Sequence, residues 1–112
     1  MMISNRAGCL AACVAFASAF SGAQAQSVTG NAQAAKDKVS MCIGCHGIPG
    51  YKTAYPVVYH VPKLAGQQPA YIVNALKAYK SGARSHPSMV GIAASLSAQD
   101  MADLAAYYGG KK

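Results

Sequence analysis

The chain has 112 residues, enough for one small domain, and carries ten lysines and arginines against three acidic residues, a formal charge of +7. The acids are Asp37, Asp100 and Asp103 with no glutamate, few residues that fall on predicted helices as ordinary surface or capping groups and not as a paired-carboxylate site; neither a hydrolase triad nor a phosphate-cradling glycine loop is present either. No repeat or low-complexity segment marks a second domain.

Residues 1–25 read as an export signal. Arg6 precedes an apolar run from about Gly8 to Phe20, and Ala23-Gln24-Ala25 has the small-x-small form of a cleavage site, so the mature chain is expected to begin at Gln26. The run is shorter than the roughly 20 apolar residues of a transmembrane helix. Leu10-Ala11-Ala12-Cys13 is similar to a bacterial lipobox, which would make Cys13 a lipidated N-terminus, yet the apolar run continues past it to Phe20. The domain is then 26–112, where nine basic residues against three acidic ones leave +6. A chain this short is marginal for a core built from side chains alone.

Ala32, Ala35, Val39 and Cys42 recur at helical spacing and predict a first helix from Asn31 into Cys42-Ile43-Gly44-Cys45-His46. In C-x-x-C-H, two thiols three positions apart can each add to one vinyl group of a haem, and the next histidine lies under the iron as an axial ligand. A structural zinc site would want four Cys or His ligands, but Cys42 and Cys45 are the only thiols left once the leader is gone. A thioredoxin-like pair would sit beside a βαβ pattern, which this chain lacks. A covalently held haem would also supply the apolar body that a small domain needs.

Residues 47–68 contain Pro49, Pro56, Pro62 and the apolar run Tyr55-Pro56-Val57-Val58-Tyr59. They predict an extended loop wrapping one haem edge, with tyrosines on the porphyrin and their hydroxyls near the propionates. Pro69 suits a helix start, and Tyr71, Ile72, Ala75, Leu76 and Tyr79 make an apolar stripe that stops at Ser81-Gly82. An irregular segment, Ser85-His86-Pro87-Ser88-Met89, follows. The last helix starts at Ser97 with Asp100 completing a capping box, carries Met101, Leu104, Ala105 and Tyr108 on one face, and closes at Gly109-Gly110.

For a second iron ligand, Met1 and Met2 fall in the leader, Met41 abuts the attachment motif, and Met101 belongs to the core stripe. Met89 is left, with His86 and His60 as imidazole alternatives and an open five-coordinate site as another.

The ordered series Cys42, Cys45, His46, Pro62-Lys63-Leu64-Ala65-Gly66-Gln67, Tyr71, Gly82-x-Arg84, Met89-x-x-Ile92-Ala93, Leu96-Ser97 and Asp103-Leu104-Ala105-Ala106-Tyr107-Tyr108 resembles a class I c-type cytochrome of the short, bacterial, mono-haem kind, over residues 30–109. The resemblance implies an all-α small cytochrome c fold of three to four helices and a long loop around one covalently bound haem c, the first and last helices crossing near its edge. It also implies Met89 opposite His46 on iron, and the Pro62 carbonyl accepting a hydrogen bond from the His46 ring. The function implied is a periplasmic one-electron carrier between respiratory partners, and not an enzyme. The chain departs from the pattern at Ser88, where the family often has a second methionine, and in its longer, tyrosine-rich 51–61 segment.

Lys52, Lys63, Lys77, Lys80 and Arg84 flank the segments expected around the haem. They predict redox partners with acidic docking surfaces, or anionic lipid headgroups at a membrane surface; a nucleic-acid partner is not expected, and the chain is expected to be a monomer. The alternative functions are a haem c subunit of a dehydrogenase or sulfur-oxidising complex, and a gas-binding haem sensor.

Overall fold

The computed structural model describes residues 28–56 and 58–111; the expected export signal, its cleavage site and Cys13 lie outside them. Among the described residues the chain is mainly helical, and α2, Pro69–Ser81, is its centre, packing against both α3, Pro87–Ala94, and α4, Ala98–Gly109.

The predicted first helix is broken in two. A 3-10 turn, Ala34–Asp37, precedes α1, Ser40–His46. The cause is fastening to α4: the Asn31 amide donates to Asp103 Oδ1 at 2.8 Å, and Lys38 Nζ reaches Asp103 Oδ2 at 2.8 Å and Asp100 Oδ1 at 2.6 Å. The Asn31 side chain meanwhile accepts from the amide of Gln33, capping the turn. Ala35, Val39 and Cys42 nevertheless stay buried on one face. The N-terminal segment meets α4 mainly through the 3-10 turn and Gly30, where an added methyl group would collide with the Ala102 carbonyl oxygen.

Pro69 opens α2, Ile72 and Leu76 bury its inner face, and Gly82 ends it with φ 80°, a left-handed value that costs glycine little. In α4 both arms of the predicted capping box form, with Ser97 Oγ accepting from the Asp100 amide and Asp100 Oδ2 accepting from the Ser97 amide. Met101, Leu104, Ala105 and Tyr108 are buried with Leu76 and Leu96 in one core.

Two other expectations are corrected. Met89 does not sit in an irregular loop: His86 is extended at φ −160°, Pro87 starts a helix there, and Met89 rides in the first turn of α3. Residues 47–68 are not wholly loop: β1, Lys52–Thr53, pairs antiparallel with β2, Tyr59–His60, in the register Lys52 to His60 and Thr53 to Tyr59. Pro56 lies at the tip and Pro62 beyond the ladder, so neither takes a donor from it.

Candidate functional site

The elements enclose a cavity of about 360 Å³, within the size range of small-molecule sites. Cys42, Cys45 and His46 reach it from α1, Pro62 from the segment after β2, and Met89 from α3; Ile72, Leu76, Ile92 and Leu104 supply apolar wall. His60 and His86 also line it. The fold thus brings all the sequence-predicted site residues, and both imidazole alternatives, to one space.

α1 orients the attachment motif. Cys42 is buried, Cys45 half-buried, and the two thiols are not joined to each other. Gly47 follows His46 at the helix end, and the ring of His46 donates from Nδ1 to the Pro62 carbonyl oxygen at 2.7 Å. That bond fixes the tautomer, leaving the Nε2 lone pair as the donor for a metal.

Burial pushes the Cys42 thiol up from its ordinary value, with the neighbouring Tyr108 hydroxyl pulling the other way. Burial also holds the Tyr108 hydroxyl well above the ordinary tyrosine range, and the thiol adds to the effect. Both groups are therefore neutral at physiological pH. His86 Nδ1 is buried on the cavity wall with no hydrogen-bond partner among the described residues, and the Tyr108 hydroxyl, buried there too, has only the weak partner that the Cys42 thiol offers. Since buried polar atoms are nearly always paired, these two point to polar atoms on a group that the cavity takes up.

Met89 and His86 differ in how they are held. Met89 is half-buried and packs on the hydrophobic core. The ring of His86 is met edge-on by Tyr59, itself 55% exposed, with centroids 5.5 Å apart. His60 is exposed on β2.

Of the five basic residues expected at the rim, Lys63 and Arg84 line the cavity. The Arg84 guanidinium lies 3.4 Å from the Tyr71 hydroxyl and 5.1 Å from the centre of the Tyr79 ring. Lys80 instead turns its ammonium to the Leu96 carbonyl oxygen. No acid lines the cavity; Asp100 and Asp103 are engaged with Lys38. The loop tyrosines divide: Tyr59 lines the cavity, whereas Tyr55 is 88% exposed and does not.

Sequence periodicity put Tyr108 on a core stripe, and it is there, but its hydroxyl in the cavity beside Cys42 was not readable, because spacing gives a face and not a neighbour 66 positions away. The sequence offers His86 as a ligand alternative; its orphaned nitrogen is a property of the packed fold. A haem fits this donor set: two unjoined thiols, an imidazole with its second nitrogen already committed, a thioether in the same lining, apolar surface around them, and two basic side chains for carboxylates.

The profile of the family described as Cytochrome c matches residues 27–108 of this chain. The chain is 40% identical over 82 residues to cytochrome c-554(548) of Halomonas halodenitrificans, covering 70% of this chain and 94% of that one. It is 39% identical over 83 residues to cytochrome c4 of Pseudomonas aeruginosa, covering 74% of this chain and 39% of that one. The solved structure of reduced recombinant cytochrome c4 from Pseudomonas stutzeri superposes with a TM-score of 0.61 at 35% identity, over 75% of this chain and 47% of that one. The chain therefore spans nearly the whole of the first relative and less than half of the c4 proteins.

Proposed function

From the premise that this chain belongs to the cytochrome c family, carries a haem c and transfers electrons, we propose that it is a periplasmic one-electron carrier in which His46 and Met89 would hold the iron. When bound, the haem supplies a one-electron Fe(III)/Fe(II) couple. The chain's own residues have four tasks: to hold the cofactor, to fix the ligands, to keep water out and to offer an edge to partners.

Cys42 and Cys45 are the attachment points, placed by α1 on one wall of the cavity. His46 is oriented by its bond to the Pro62 carbonyl, which keeps Nδ1 occupied and strengthens Nε2 as a donor. Met89 is the ligand favoured over His86 and His60 because its side chain is anchored in the core by α3, while His60 is exposed and His86 abuts a half-exposed tyrosine. A thioether is a soft, neutral donor that favours Fe(II), so this pair sets a higher potential than two imidazoles would. Lys63 and Arg84 stand where the haem carboxylates would find cations.

One observation carries the reading: a histidine locked by Pro62 and a core-anchored methionine face the same thiol-lined cavity. No helix among the described residues is long and apolar enough to cross a membrane, which suits a carrier freed by cleavage after Ala25. Partners with acidic docking surfaces follow from a cavity rim that bears cations and no acid.

Spectroelectrochemical titration of the purified holoprotein tests the carrier function. A reversible wave with a one-electron slope and low-spin iron in both states is expected; an irreversible wave, or a change to high-spin iron on reduction, would contradict it. Mass spectrometry of the periplasmic fraction should give a chain starting at Gln26, whereas a lipid-modified Cys13 there would overturn the cleavage assignment.

A further inference from the structure

The 51–61 segment is left without a task by the mechanism above. Thr53, Tyr59 and His60 line the cavity, but the hairpin then runs outward: Tyr55 is 88% exposed and Val58 63% exposed, and neither lines the cavity. Tyr55 is the most exposed large apolar side chain among the described residues and Val58 the next, both at the tip of a paired hairpin, and aromatic side chains are enriched at protein contacts. The surrounding charge says what covers them. From Ser40 to Gln99 the sequence has no acidic residue at all; the three acids lie on the 3-10 turn and α4, and two of them are tied to Lys38. The hairpin itself carries Lys52, and Lys63 and Arg84 stand at the cavity that it borders.

We propose that the hairpin formed by β1 and β2 is the docking element for an electron-transfer protein that presents carboxylates around an apolar patch, Tyr55 and Val58 filling the patch while the exposed Lys52 meets the carboxylates. The inference rests on the carrier function and names the surface that function uses. Tyr59 ties the two together, since its ring joins the exposed hairpin to the cavity wall. A partner seated on the hairpin therefore lies beside the cofactor site.

The test compares the holoprotein with its double variant Tyr55→Ser/Val58→Ser, titrated calorimetrically with an acidic blue-copper protein at low and moderate ionic strength. The native protein should bind, more weakly as salt rises, and the variant should bind about tenfold more weakly, the usual scale for losing a central aromatic anchor. Equal affinity for both proteins would overturn the proposal, as would no binding by the native chain. Binding confined to phosphatidylglycerol vesicles would reassign the tip to a lipid surface. A native dimer in sedimentation velocity that the double variant dissolves would reassign it to a second copy of the chain. Both residues lie off the cavity, so the haem spectrum and reversible reduction by ascorbate should be the same in native and variant; loss of reversibility in the native protein would count against the carrier function and not against the docking surface.

Discussion

Tyr108 lines the cavity beside Cys42, and the neutrality of its hydroxyl matters: a buried charge there would be expensive. The Tyr108 hydroxyl has only the weak partner that the Cys42 thiol offers, so in the holoprotein the cofactor is expected to satisfy it. Tyr108→Phe should then lower the stability of the holoprotein by about 1 kcal/mol, read from the urea midpoint; unchanged or raised stability would mean that the hydroxyl is unpaired in the loaded protein too. Gly30 is a second position with a sharp requirement. A methyl group there strikes the Ala102 backbone, and Gly30→Ala should cost about 1–3 kcal/mol in the same measurement. The candidate residues could be named from the sequence because C-x-x-C-H is a spacing motif and Met89 was the one methionine left beside the alternatives His86 and His60, and the fold brings all of them to one cavity. Gly30 and the Tyr108 hydroxyl could not be so named, because each owes its importance to a contact made between distant parts of the chain.

Among the elements, α2 and α4 were readable from their ends: a proline opens one, a capping box opens the other, and Gly82 closes the first with the backbone only glycine takes easily. Ser97→Ala removes one arm of the box and should cost about 1 kcal/mol, seen as a lower unfolding midpoint with the haem spectrum intact. The helix α3 was missed because Pro87 and Ser88 next to a histidine look like a turn, and Gly91 interrupts its pattern, yet Pro87 is what starts it. Its consequence for the site is direct: a helix, and not a free loop, delivers Met89. The first helix failed in the other direction. Its hydrophobic spacing was right, but the Lys38 and Asn31 ties to α4 tighten the chain into a 3-10 turn that spacing does not register.

For the whole molecule, the same ties join the two ends of the described chain. Asp103, 2% exposed, accepts from the Asn31 amide, Lys38 and Gln99, and Asp100 is held by Lys38 and Ser97. The Lys38 ammonium, first among these, holds both carboxyls below the ordinary value of 3.8. A lowered folded-state value adds stability that is complete above about pH 5 and is lost as the pH falls through the folded values. Melting of the holoprotein should therefore steepen in its pH dependence below about pH 4, and Asp103→Asn should flatten that slope while lowering the plateau; a native profile flat into strong acid would contradict it. The division of charge, with all acids at this corner and none on the cavity, was visible in the sequence as a sixty-residue stretch free of acids, but only the fold shows which face it becomes. The proposed ligand set is His46 and Met89 on one iron in a carrier. It is tested most directly by the visible and near-infrared spectrum of the oxidised holoprotein beside that of Met89→Ala: a low-spin spectrum with the weak methionine-to-iron charge-transfer band, lost in the variant, is the predicted result, whereas a native spectrum without that band, unaltered by the substitution, would contradict it and turn attention to His86.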